Sequence, residues 1–220
     1  LGLDVAVDHA LRVREGQATL ELDVMDDAKT GSFLDQRENH ARAGELARGQ
    51  ALDAFSYHGG FALALAARAD HVLALEEDPR AAERGRENAR LSGLANVEVL
   101  TADAFVELRR LEREGRRFDI VVVDPPALGK RKGPLDTALR AYHELNLRAF
   151  RITAEGGWLV SCSCSGKVTP ALFEQTLVAA ARDAGRSAQL VERRGAAADH
   201  PALLGVPETE YLKCFILRVE

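Results

Sequence analysis

From residue 50 onward this 220-residue chain alternates short apolar runs with amphipathic stretches, and that alternation limits its fold more than any other feature. The runs fall at 51–55, 71–76, 97–101, 119–124, 158–163, 188–192 and 211–219, and helical periodicity falls near 60–69, 79–92, 103–113, 135–153 and 170–184. A run such as Ile120-Val121-Val122-Val123 has no polar face, so a strand made from it must be covered on both sides. Strands of this kind separated by helices imply a mainly parallel sheet with helices on both faces. Asp78-Pro79 and Thr169-Pro170 each put a capping side chain before a first-turn proline, which marks two helix starts. Seven strands in this order match an α/β, Rossmann-like architecture. Ahead of them, residues 3–25 alternate apolar and polar positions around Glu15-Gly16-Gln17. Ala18, Leu20, Leu22 and Val24 face one way and Thr19, Glu21 and Asp23 the other, which predicts a β-hairpin with one wet face. A polar, glycine-containing stretch follows, then a helix-like segment to about Arg48.

Composition excludes several classes. No run of eighteen apolar residues is present, so no transmembrane helix is expected. No basic-then-apolar start marks a secretory signal. Three cysteines, Cys162, Cys164 and Cys214, are an odd, low count. Neither a disulfide framework nor a zinc site is expected, and a reducing cytoplasm fits. A net charge of −5 argues mildly against a dedicated nucleic-acid-binding module. Locally, residues 125–151 carry six basic side chains (Lys130, Arg131, Lys132, Arg140, Arg148, Arg151) against Asp136 and Glu144, a balance of +4. That stretch is either a solvated loop and helix face or a phosphate contact.

In an open α/β sheet, ligands bind beyond the carboxyl ends of the strands. The first apolar run leads into Ser56-Tyr57-His58-Gly59-Gly60-Phe61, where the glycine pair makes either a close backbone approach to a ligand or a plain turn. The pattern is not GxGxxG, so a dinucleotide pyrophosphate site is poorly supported. The second run ends in Glu76, an acceptor for ribose hydroxyls or a solvent-facing carboxylate. After the third, Asp103 in Thr101-Ala102-Asp103-Ala104 either bonds an adenine amino group or caps the next helix. The fourth ends in Val123-Asp124-Pro125-Pro126, where a carboxylate leaving a β-branched run into two prolines is held in a rigid place. The fifth ends in Ser163-Cys164-Ser165-Gly166. Cys164 there, level with Asp124, is either a nucleophile or an inert small hydrophobe. Cys162, inside the strand, and Cys214 read as buried and inert.

Together these residues resemble the bacterial 23S rRNA 5-methylcytosine methyltransferases that carry an N-terminal PUA domain. The similarity runs from about Val5. It is carried by Lys29-Thr30-Gly31-Ser32-Phe33-Leu34-Asp35-Gln36-Arg37, Ala54-Phe55-Ser56-Tyr57-His58-Gly59-Gly60-Phe61, Asp124-Pro125-Pro126, Ser163-Cys164-Ser165-Gly166, Ala198-Asp199-His200-Pro201 and Tyr211-Leu212-Lys213. The resemblance implies a class I methyltransferase domain over 26–220. Residues 1–25 are then a hairpin remnant of the linker to an absent N-terminal RNA-binding domain. It implies S-adenosylmethionine held by Phe55, Ser56, Tyr57, Gly59 and Gly60, with Glu76 on its ribose, Asp103 and Ala104 near its adenine, and Asp124, Gln36 and Arg37 against it. Cys164 is implied as the catalytic cysteine, with Asp124 beside the target ring. Pro125, Pro126, Lys130, Arg131, Lys132 and His200 are expected to meet the RNA. A 23S rRNA partner, a cytoplasmic setting and a homodimer follow from the same likeness. Two alternatives remain: a methyltransferase of this fold acting on guanine or another substrate, and a non-catalytic, cofactor-binding, RNA-associated module. The base that removes the ring proton is not identified.

Overall fold

The computed structural model of the protein describes residues 10–25, 28–128 and 134–220. The chain opens with an antiparallel hairpin, β1 (Ala10–Glu15) and β2 (Ala18–Asp23). Two short 3-10 turns, Ala28–Gly31 and Leu34–Gln36, lead into α1 (Arg37–Leu46). The apolar runs become β3 (Gln50–Ala54), β4 (His71–Glu76), β5 (Val97–Thr101), β6 (Phe118–Val123), β7 (Thr153–Ser163), β8 (Ala188–Arg194) and β9 (Lys213–Val219). Between them lie α2 (Gly60–Ala66), α3 (Pro79–Leu91), α4 (Ala104–Arg113), α5 (Leu135–Ile152) and α6 (Pro170–Asp183).

These seven strands form one sheet in the order β5-β4-β3-β6-β7-β9-β8, with β9 antiparallel to both neighbours. The chain steps outward from β3 to β5 and then restarts at β6 on the other side of β3. The crevice between the ends of β3 and β6 is therefore the topological switch point. Alternation along β6 explains why its Ile120–Val123 stretch is wholly apolar. Ile120 and Val122 pack with Ala43, Phe61 and Leu65 under α1 and α2, whereas Val121 and Val123 pack with Leu108, Tyr142 and Phe173 under α4, α5 and α6.

Local signals set several helix starts. Asp78 accepts the Arg80 and Ala81 N–H groups at 2.7 and 3.1 Å, with Pro79 in the first turn, and the Thr169 hydroxyl accepts from Leu172 N at 3.2 Å. Some boundaries differ from expectation. α2 stops at Ala66 rather than 69, because the chain must turn back so that the Asp70 and His71 amides can reach the Gly49 carbonyl. The last strand begins at Lys213 rather than 211, since Tyr211 turns away to donate its hydroxyl to Asp35 at 2.5 Å. β2 ends before Val24, and the hairpin expected over 3–25 is described from residue 10. Its apolar face rests on α3, with Leu20 and Leu22 buried near Ala89. Among the described residues no helix is long and apolar enough to cross a membrane.

Candidate active site

Past β3 the backbone passes through the left-handed region at two side-chain-bearing residues, Phe55 (φ 76°) and Tyr57 (φ 48°). Each such residue costs about 1–2 kcal/mol, so the turn must be held by its surroundings. The Phe55 and Ser56 amides both donate to the Leu75 carbonyl, at 3.0 and 2.8 Å, and the Tyr57 amide donates to Glu76 Oε2 at 2.8 Å. Beneath the turn, fully buried Asp53 accepts the Ala62 N–H at 2.9 Å and ties the first turn of α2 to β3. Burial, reinforced by the nearby Asp124 charge, pushes the Asp53 carboxyl up to about 8. Gly59 adopts φ 95°, and a Cβ on Gly60 would lie 2.4 Å from the His40 ring, so both positions need glycine.

This loop forms one wall of a cavity of about 310 Å³ at the switch point, within the range of small-molecule sites. Glu76 lines it from the end of β4, its Oε2 taking the Tyr57 amide and its Oε1 the Asp78 amide at 2.9 Å. Asp103 lines it from the end of β5. Of the two roles open to Asp103, it performs the cap, its Oδ1 accepting from Phe105 N at 2.7 Å and Val106 N at 3.2 Å. The Phe55 and Phe105 rings meet edge to face at 6.1 Å. Leu20 and Leu22 of the hairpin complete the lining on another side.

The opposite wall carries the reactive groups. Asp124 Oδ2 accepts from Gln36 Nε2 at 2.9 Å, and Gln36 Oε1 is itself held by Asn39 Nδ2 at 2.7 Å. Burial pushes the Asp124 carboxyl up to about 6, against the opposing pull of His40, Gln36 and Lys29. The part-buried Cys164 thiol is directed at the Pro125 carbonyl, 3.9 Å away, and lines the same cavity. Burial and then the Asp124 charge raise the thiol's pKa, while Lys29 and Lys213 draw it down. Cys162, by contrast, is fully buried in β7, opposite equally buried Cys214 on β9.

The structure brings Phe55, Ser56, Tyr57, Gly60, Glu76 and Gln36 to the cavity lining. Asp103, Ala104, Asp124, Pro125, Pro126 and Cys164 complete that group. Gly59 shapes the loop without lining the cavity. Arg37 and His200 are elsewhere engaged: both bind Asp199, at 2.9 and 3.1 Å, outside the lining. Lys130, Arg131 and Lys132 lie outside the described residues. In the rest of that basic stretch, Arg148 and Arg151 each pair with Glu112 of α4, at 2.6 and 2.8 Å. A count along the sequence cannot see that compensation.

Several lining residues escape sequence reasoning. Lys29 and Asp35 belong to the Lys29–Arg37 segment whose similarity places it over the site, but nothing in the sequence announces the ion pair they form at 3.1 Å beside Phe33. His40 carries none: its partner, Glu15 at 2.6 Å, comes from the end of β1. Phe105 follows directly on Asp103, but its spacing marks it only as part of a helix.

A seven-stranded sheet in this order, with its cavity at the switch point, is the fold of the class I S-adenosylmethionine-dependent methyltransferases. The family model described as S-adenosylmethionine-dependent methyltransferase matches residues 7–218, and the chain belongs to that family. Ribosomal RNA large subunit methyltransferase I of Aeromonas salmonicida is 37% identical over 210 residues, covering 94% of this chain and 53% of that protein. The protein of the same name from Tolumonas auensis is 37% identical over 219 residues, covering 98% and 55%. The chain thus spans about half the length of these curated relatives. Among solved structures, SMU.776 in complex with SAH superimposes with a TM-score of 0.84 at 19% identity, over 96% of this chain and 56% of that one. The S-adenosylmethionine-dependent methyltransferase of Agrobacterium tumefaciens gives 0.72 at 19% identity, over 99% and 72%. At that identity the two structures speak for the fold.

Proposed function

We propose that this protein methylates carbon 5 of cytosine in 23S ribosomal RNA, with S-adenosylmethionine as methyl donor and Cys164 as covalent nucleophile. The observation that carries the reading is the Cys164 thiol directed at the Pro125 carbonyl, beside Asp124, in the cavity that the Phe55–Gly60 loop encloses. The names of the ribosomal RNA methyltransferase I relatives support the substrate class.

The lining fits the cofactor. Glu76 oxygens each hold one backbone amide and keep lone pairs for ribose hydroxyls. Phe55 and Phe105 offer apolar surface for an adenine, with the free oxygen of Asp103 at its edge. Gln36 and Asp124 close the far side. When bound, S-adenosylmethionine supplies an electrophilic methyl group on a sulfonium.

The protein's own groups must make carbon 5 reactive, because that carbon is a weak nucleophile in free cytosine. The Cys164 thiol passes its proton to the Asp124 carboxylate, whose charge acts on it, and its sulfur bonds to carbon 6. The displaced ring electrons give carbon 5 enamine character and raise the basicity of the ring nitrogen. Asp124, whose carboxyl titrates near 6, holds a proton toward that nitrogen and steadies the charge that develops. Once carbon 5 is methylated, its proton passes to water, which restores the ring double bond, breaks the carbon–sulfur bond and returns the thiolate, and the ring nitrogen gives its proton back to Asp124. To enter the cavity the base must leave its stack, at a cost of roughly a few kcal/mol.

A second reading draws on the raised thiol pKa: a methyltransferase of the same fold acting on another base, with Cys164 as a lining residue only. Cys164→Ala decides between them. Nucleoside mass spectrometry of treated ribosomal RNA is expected to lose 5-methylcytosine entirely while the variant still binds S-adenosylhomocysteine. Continued 5-methylcytosine formation would reject the cysteine mechanism, and a methylated guanine would favour the second reading.

A further inference from the structure

Tyr211-Leu212-Lys213 has no task in the scheme above, yet it reaches the site. Lys213 opens β9 in register with Ser163, the last residue of β7 and the chain neighbour of Cys164. Leu212 lines the cavity; Lys213 does not, and it is only 3% exposed. Its ammonium donates to the carbonyls of Ser165 and Tyr211, each at 2.7 Å. Ser165 O also accepts the Val168 N–H at 3.1 Å, so the ammonium pins the turn by which the chain leaves Cys164. Among the described residues no carboxylate pairs with it. A buried ammonium without an acid is costly, and two carbonyls are met equally well by a neutral donor. The charge has a purpose if a neighbour becomes anionic, and the ionisable neighbour whose field acts on Lys213 is Cys164.

We infer that Lys213 is a positioning residue whose buried ammonium fixes the Cys164 turn and favours the thiolate over the thiol. This role rests on the reading of Cys164 as nucleophile. Other groups facing the sulfur act in both directions. Burial and Asp124, after β6, oppose ionisation, and Lys29 of the 3-10 segment assists it. Tyr142 of α5 and Tyr211 are further ionisable neighbours. Burial draws Lys213 down to about 8, and a Cys164 thiolate opposes that shift, each charge stabilising the other.

The test is the pH dependence of Cys164 alkylation by iodoacetamide in the whole chain. Peptide mass spectrometry scores Cys164 apart from the buried Cys162 and Cys214. Lys213→Met is expected to move the profile up by about one pH unit, or about tenfold in rate at a given pH. Lys213→Gln, which keeps a donor and loses the charge, is expected to follow Met. A wild-type profile in either folded variant overturns the inference and leaves only a structural pin. If neither variant folds, reciprocity supplies the second measurement. In Cys164→Ala the Lys213 ammonium, followed by lysine NMR, must titrate lower than in the parent protein, and an unchanged titration overturns the inference. RNA methylation retained by Cys164→Ala would remove the nucleophile reading and leave these thiol and lysine results standing.

Discussion

Asp53 has no solvent exposure; its Oδ2 holds the Ala62 N–H, while its Oδ1 has no hydrogen-bond partner among the described residues. Its carboxyl, at about 8 in the folded protein, lies far above the ordinary aspartate value of 3.8. Between those values the folded protein binds more protons than the unfolded chain. Stability from this group is therefore full below about pH 4 and is lost as pH rises toward 8. Asp124, raised to about 6, acts in the same sense over a narrower window. Asp53→Asn keeps an acceptor for Ala62 and removes the charge. Urea denaturation is expected to find the variant more stable at pH 8 by a few kcal/mol, since each tenfold change in proton affinity is worth about 1.4 kcal/mol. Near pH 4 the two proteins are expected to be equal. A gap that does not change with pH would show that burial is not what governs this carboxyl. Asp124 and Cys164 are legible in the sequence because each ends an apolar run. Asp53 is not, because it sits inside one and its partner lies across a turn.

At the scale of elements, Asn88 joins three of them. Fully buried on α3, it accepts the Glu21 amide of β2 at 2.8 Å and donates to the His58 carbonyl of the Phe55–Gly60 loop at 3.0 Å. Arg84, one turn earlier, pairs with Glu21, and Ser92 accepts the Thr19 amide at 2.9 Å. Asn88→Ala removes the partner of a buried carbonyl and of a part-buried amide and is expected to cost about 1–3 kcal/mol in denaturant titration. Calorimetry is expected to show weaker S-adenosylhomocysteine binding, since the loop loses its tie to the hairpin. Unchanged affinity would mean that α3 does not transmit the hairpin's position to the site. The alternation of Leu20 and Leu22 reveals the hairpin's apolar face. It gives no hint that this face rests on α3 and lines a cavity.

Across the whole molecule, the cavity draws on the hairpin, the 3-10 segment and the ends of β3, β4, β5, β6 and β7. A ligand touching all of these stabilises the domain as a unit. At a hundredfold excess over its dissociation constant the gain is about 2.7 kcal/mol. For a domain of this size that raises Tm by about 5–10 °C. Differential scanning fluorimetry with S-adenosylhomocysteine should show that rise in the parent and in Cys164→Ala, and a smaller one in Glu76→Ala. An equal rise in Glu76→Ala would remove that carboxylate from the ribose role. Surface ion pairs such as Arg109–Glu144, at 2.9 Å, contribute little by comparison.

The sequence by itself determined a mainly parallel sheet, its helices and the strand ends on which chemistry can sit, because hydrophobic period and capping act between near neighbours in the chain. Tertiary structure alone decided what those ends face. Glu15 against His40, Glu112 beneath Arg148 and Arg151, and the Lys213 ammonium under the Cys164 turn all join residues distant in sequence. Burial and charge at such meetings are properties of the packed molecule, and no local pattern encodes them.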